Sequence, residues 1–171
     1  SVQQHLQQMA KKGLLELAAG VTRGIRLLEA GPAADPYSLP LLGRIAAGQP
    51  LLSDTHIQEQ IRIDPEMFRP TASFLFRVQG HSMQDAHILD GDLVGIHEQA
   101  VADDRQIVAV AVEDPQTSEL QLTLKRFHKR GATVTLISEN SDQDRYPPIV
   151  IDARRQQVAI VGLFAGLVRR P

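Results

Sequence analysis

Leu120-Gln121-Leu122-Thr123-Leu124-Lys125-Arg126-Phe127 decides the fold of this chain. Three leucines recur at every second position, which is the period of a strand with one face on a core. Upstream, Ile107 to Val112 is a short continuous apolar run, as expected of a strand covered on both faces. Downstream, Thr133 to Ile137 is rich in β-branched residues. The same reading extends outward to Phe74–Val78, to Leu93–Ile96 after the turn signal Asp90-Gly91-Asp92, to Ile149–Ile151 and to Val158–Val168. Ile57, Ile61 and Ile63 belong to a further extended run that Asp64-Pro65 closes. About eight strands with little helical periodicity predict a curved, mostly antiparallel β domain. Gly162 and Gly166 would weaken a plain strand, so the last run is expected to be bulged or closely packed. Being apolar and C-terminal, it is also a candidate for pairing with a second copy of the chain.

The amino-terminal end reads differently. Val2, Leu6 and Met9 fall on one helical face, Lys11 and Lys12 suit the last turn of that helix, and Gly13 caps it. Two short apolar runs follow, Leu14–Leu17 and Ile25–Leu28, joined by a segment whose Gly20 and Gly24 suit a hairpin tip. A helix leading directly into a hairpin is the second half of a winged helix-turn-helix, in which the helix enters the major groove and the wing meets backbone. Gln3 and Gln4 are then candidates for base edges and Arg23 for phosphate; read without that context, they are solvated surface. Residues 29–38, with two prolines, a glycine and little apolar bulk, form a linker by composition. The expected organisation is α+β: residues 1–28 the partial winged helix, 29–38 the linker, 39–171 the β domain.

Charge supports the division. Residues 1–28 carry Lys11, Lys12, Arg23 and Arg26 against Glu16 alone, a net of +3, so a chain of −2 overall has −5 on the remainder. A basic end on an acidic body fits a small nucleic-acid-contacting unit. Cysteine is absent, which excludes disulfides, thiol catalysis and cysteine zinc sites. With no apolar run of 18 residues and no leader pattern, the chain is expected to be cytoplasmic. Trp is also absent, so the core must be built from Leu, Ile and Val.

Chemistry is harder to read. Ser82, in Gly80-His81-Ser82-Met83, is a nucleophile only with a base in reach, and by itself it is a turn serine. His81, His87, His97 and His128 show no triad order, and the six histidines lack metal-ligand spacing. Lys125 can serve as a base only when neutral, which requires burial to lower its pKa. Strict alternation counts against that burial, because Lys125 shares a face with Gln121, Thr123 and Phe127 rather than with the leucines. Periodicity alone makes it a solvated strand lysine.

Several ordered segments nevertheless resemble one family over essentially the whole chain. They are Gln4-His5-Leu6, Lys12-Gly13, Arg23–Leu28, Leu41-Leu42-Gly43-Arg44-Ile45-Ala46-Ala47-Gly48, Gly80–Met83, Asp90–Leu93, Thr123–Arg126, Glu139-Asn140-Ser141 and Ile160–Leu163. The resemblance is to the LexA family, self-cleaving repressors of the bacterial DNA-damage (SOS) response. It implies a winged-helix DNA-binding domain and a β-rich peptidase domain of the LexA/signal-peptidase type. It also implies homodimerisation through the peptidase domain, operator DNA as a partner, and cleavage promoted by RecA filaments on single-stranded DNA. Carried over by residue, Ser82 is the nucleophile, Lys125 its general base, and Ala47–Gly48 the bond cut, with no metal or cofactor.

Two departures accompany the likeness. The first helices of the winged-helix pattern are not among these residues and are expected to lie earlier, and residues 113–119 make a polar loop longer than a tight hairpin. A signal peptidase would need an anchor that the sequence does not show. A self-cleaving accessory subunit of an error-prone polymerase would lack the helix and wing. A repressor that never cuts itself would keep Ser82 and Lys125 as relics.

Overall fold

A computed structural model describes residues 15–17, 25–27, 35–46, 48–113, 116–117, 119–156 and 158–171. The expected helix at residues 1–12, the hairpin tip at 18–24, and with them Gln3, Gln4 and Arg23, lie outside the described residues, as does Ala47. The chain divides into two units, Ser1–Pro36 and Tyr37–Pro171. In the first, strands β1 (Leu15–Leu17) and β2 (Ile25–Leu27) pair antiparallel, with Leu15 opposite Leu27 and Leu17 opposite Ile25.

The second unit is built on nine strands: β3 (Ser38–Leu42), β4 (Ile57–Arg62), β5 (Phe74–Arg77), β6 (Leu93–Glu98), β7 (Ile107–Glu113), β8 (Leu120–Arg130), β9 (Thr133–Ile137), β10 (Ile149–Asp152) and β11 (Ile160–Val168). Their order in the sheet is β10-β9-β8-β7-β11-β6-β5-β3-β4. Every pairing is antiparallel except β3 with β5. Of these strands, β3 is the one that sequence periodicity does not isolate: Ser38-Leu39-Pro40-Leu41-Leu42 abuts the proline-rich stretch, and Pro40 masks its pattern.

Both faces of the sheet carry core, which explains the apolar runs. On β5, Phe74 and Phe76 pack with Leu42, Val94, Ile96 and Leu124, whereas Leu75 between them packs with Leu39, Leu41, Phe68 and Leu93. On β7, Ala109 joins the first cluster; Val108 and Val110 turn the other way, onto Phe127, Val134, Leu136 and Leu163. A strand buried on both sides has no reason to alternate.

The two glycines of β11 behave as expected. The ladder shifts register between Ile160 and Gly162 and again between Phe164 and Gly166. A Cβ built on Gly162 would lie 2.3 Å from the His97 carbonyl oxygen, so only glycine allows β6 and β11 to approach there. Within the chain β11 lies between β7 and β6, paired with β6 along Gly162–Val168 and with β7 along Ile160–Leu163, and β10 and β4 end the sheet.

Candidate active site

Lys125 occupies the middle of β8, opposite Val108 of β7. Alternation makes this a solvated position, and the structure corrects that expectation: Lys125 is 9% exposed. The reason is that the face of β8 bearing Gln121 and Thr123 is open only near the strand's start. At Leu124, Lys125 and Phe127 both faces are covered, Leu124 and Phe127 each being 3% exposed, before the strand opens again at Lys129 and Arg130. The buried ammonium loses hydration, and this desolvation lowers the Lys125 pKa below its ordinary value. No carboxylate offsets the shift. The adjacent Glu139 is taken by Arg126, whose Nε donates to Oε1 at 2.6 Å, and among the described residues Lys125 has no ion pair.

The amine is held by a residue that sequence reasoning gave no role. Lys125 Nζ donates to Ser138 Oγ at 2.9 Å, and the Ser138 residue is 3% exposed. Ser138 directly precedes Glu139-Asn140-Ser141, one of the segments that carried the family resemblance. Its signal was a small hydroxyl placed just after a strand that pairs with the lysine's strand.

The same segment grips the loop bearing Ser82. Asn140 Nδ2 donates to the His81 carbonyl at 2.7 Å, Glu139 N–H points at Met83 Sδ at 3.4 Å, and Asp85 N–H donates to the Glu139 carbonyl at 2.9 Å. Gly80, at φ +83°, turns the chain into this loop, and its N–H donates to Asp90 Oδ1 at 2.7 Å. Met83 then anchors the loop in the core at 2% exposure, and a single 3₁₀ turn, Gln84–Ala86, follows. Ser82 is half-buried between these anchors. Its hydroxyl makes no hydrogen bond within the described residues, nor does any backbone carbonyl there accept from the N–H of Ser82 or Met83. Two free N–H groups beside a free hydroxyl are what an oxyanion site requires. Thus residues 138–140 contact both the Lys125 amine and the residues on either side of Ser82.

A second tie closes the loop's far end. Asp92, 1% exposed, accepts from Arg169 Nε and Nη2, both at 2.7 Å, and from the Leu89 N–H at 2.8 Å. The hydrogen bond from Arg169 is the main cause holding the Asp92 carboxyl below its usual range. Arg169 also reaches the His87 carbonyl at 2.9 Å. Arg169, the residue just after β11, therefore braces the segment after Ser82, a link 77 residues apart that no local pattern announces.

Ala46 and Gly48 are not brought to this centre. Ile45 forms an antiparallel bridge with Leu120, its N–H and carbonyl bonding the carbonyl and N–H of Leu120 at 3.2 and 3.3 Å. Five residues of β8 separate Leu120 from Lys125, about 17 Å at about 3.3 Å per residue. An antiparallel bridge sends Ile45's successor toward Glu119, away from Lys125. The Arg44 side chain reaches across to Glu119 at 3.0 Å and adds a second tie at the bridge. A polar groove of about 440 Å³, lined by Gly43, Arg77, Gln79, Gln121 and Thr123 among others, lies between the bridge and the serine loop.

Residues 40–165 match the model of a peptidase family, Peptidase S24-like. The chain is 43% identical over 169 residues to the LexA repressor of Shewanella sediminis, covering 99% of this chain and 78% of that protein. Over the same coverage it is 44% identical to the LexA repressor of Shewanella loihica and 43% to that of Providencia rettgeri. The chain belongs to the LexA family. Its mostly β unit is the S24 peptidase domain of that family, and the LexA resemblance read from ordered segments holds over nearly the whole length. Among the described residues no helix is long and apolar enough to cross a membrane.

Proposed function

We propose that this chain is a serine endopeptidase acting once on itself, with Ser82 as nucleophile, Lys125 as general base and Ala47–Gly48 as the bond cut. As a LexA family member it is a self-cleaving repressor of the SOS response. The observation that carries the chemical reading is a buried lysine without a counter-ion, held beside the loop of an unbonded serine. Neutral Nζ removes the Ser82 proton as Oγ bonds to the Ala47 carbonyl carbon. The oxyanion meets the N–H groups of Ser82 and Met83. Lys125 then returns the proton to the Gly48 nitrogen as the C–N bond breaks, leaving an ester on Ser82. Water hydrolyses that ester, giving its proton to Lys125 and restoring the serine hydroxyl. No metal or cofactor takes part.

The organisation that accompanies this reading is a winged helix at residues 1–28 for operator DNA, with Gln3, Gln4 and Arg23 at the contact. A linker at 29–38 joins it to an autopeptidase and dimerisation domain at 39–171, in a cytoplasmic homodimer whose cleavage a RecA filament on single-stranded DNA promotes. What supports it is family membership and the antiparallel register of β1 with β2. Incubating the protein from pH 7 to pH 10 and following its mass tests the chemistry. Two fragments divided between Ala47 and Gly48 are expected, and none from Ser82→Ala or Lys125→Ala. Cleavage of Lys125→Ala at the parent's rate would remove the base assignment, and an intact chain even with RecA filament would leave a non-cleaving repressor.

A further inference from the structure

His56 is 2% exposed, and among the described residues its ring hydrogen-bonds to Ala46 and Leu51 rather than to Ser82 or Lys125. Its two nitrogens reach both ends of the segment that holds the Ala47–Gly48 bond. Ala46 N–H donates to Nε2 at 2.9 Å, and Nδ1 lies 2.9 Å from the Leu51 carbonyl. These partners leave one arrangement of protons. A backbone N–H can only donate, so Nε2 accepts; a carbonyl can only accept, so Nδ1 carries the hydrogen. The ring is thus neutral, with a single tautomer satisfied on both sides. The main chain of His56 is anchored too, its carbonyl accepting from the Gly43 N–H at 2.9 Å. Next to it, Thr55 Oγ1 donates to Gln49 Oε1 at 2.8 Å.

We infer that His56 is a positioning residue for the substrate segment, a clamp that holds Ala46 and Leu51, on either side of the Ala47–Gly48 bond, in a parked position and thereby sets the resting rate of self-cleavage. The inference rests on the reading of Ala47–Gly48 as the bond cut. Ala46 is the residue immediately before that bond, and its N–H is committed to a ring on the far side of the Leu120 bridge from Lys125. For the Ala47 carbonyl to reach Ser82, the run from Ile45 must reverse its direction along β8, and the Ala46 hydrogen bond cannot survive that reversal. A molecule that reacts only when docked cleaves in proportion to its docked fraction. Loss of one hydrogen bond made only in the parked form therefore multiplies the rate by about 3- to 10-fold.

The test compares three substitutions in the full chain. His56→Ala removes both contacts. His56→Gln keeps an amide oxygen within reach of the Ala46 N–H. His56→Asn keeps a short donor toward Leu51 and no acceptor for Ala46. Self-cleavage is expected to be about 3- to 10-fold faster in His56→Ala and His56→Asn and to return toward the parent rate in His56→Gln. Hydrogen exchange at the Ala46 amide, measured with each change placed in a Ser82→Ala chain, is expected to follow the same order without any cleavage. Should His56→Ala not fold, the Asn and Gln variants carry the comparison alone. Equal exchange at Ala46 in all of them, or faster exchange with unchanged or slower cleavage, overturns the clamp. If the parent chain never cleaves, the peptidase reading fails while the exchange series still decides whether His56 holds the segment.

Discussion

The sharpest consequence of a buried, unpaired Lys125 is the shape of the pH profile of self-cleavage. While the ammonium predominates, each pH unit raises the neutral fraction tenfold, so the first-order rate should climb with a slope of one decade per unit. A lysine at its ordinary value of 10.5 would keep climbing to that pH, a gain on the order of 10³ above pH 7. Desolvation lowers the value, so the climb should bend to a plateau before 10.5 and the total gain should be smaller. Lys125 itself does not loosen the fold over this window: a lysine whose folded pKa is depressed contributes stability that is complete above 10.5 and is lost as pH falls through the folded value, so its own contribution grows as pH rises. The assay is the intact mass followed over time at half-unit steps from pH 6 to 10.5, with Ser82→Ala subtracted for background hydrolysis. A flat profile refutes lysine as the base. A slope that continues unbroken to 10.5 refutes the burial argument while leaving the base in place.

Three further outcomes follow from the same geometry. Ser138→Ala frees the Lys125 amine from its one hydroxyl partner, and cleavage at the same bond should slow by about tenfold as the base loses its orientation; a parent-like rate would show that packing alone aims Nζ. Gly162→Ala forces a Cβ to 2.3 Å from the His97 oxygen and 2.5 Å from Ile96 Cγ2, so denaturant unfolding should show a loss of about 3 kcal/mol. Arg169→Ala leaves the Asp92 carboxylate buried without its bidentate partner and should lower the melting temperature. Because the Asp92 pKa is depressed, that deficit should be complete above about pH 4 and close as pH falls further through the lowered value.

How much of this was legible in the sequence depends on the range of the interaction that decides each feature. Strands β4 through β11 follow from apolar periodicity and turn residues within ten positions, and the bulges of β11 follow from Gly162 and Gly166 alone. Lys125 shows where local reading stops. Its face of β8 is open at Gln121 and closed at Phe127, and nothing within the strand marks the change, because the cover comes from Val108, Val134 and Leu163. Family likeness singled out Lys125 where alternation did not. Ser138, Asp92 with Arg169, and His56 escaped for a related reason. Each is defined by a hydrogen-bond partner 5 to 77 residues away, and a serine, an aspartate or a histidine alone carries no signal of it.

The arrangement also explains how such a chain can keep a reactive centre without destroying itself. Burial of Lys125 is built into the sheet through β7 and β9, so under the proposed assignment the base is poised whether or not a substrate is present. A switch at the lysine would require unpacking the core around Phe127, which is costly and slow. The described residues from Arg44 to Leu51, by contrast, are tied by a bridge to Leu120, a surface ion pair to Glu119, the His56 ring, the Thr55 hydroxyl on Gln49 and the Ser53 N–H on the Pro50 carbonyl, each worth about 1 kcal/mol. On the proposed reading, control falls on the position of the substrate rather than on the readiness of the catalyst. A partner that stabilises the docked segment by a few hydrogen bonds shifts the balance without touching the chemistry.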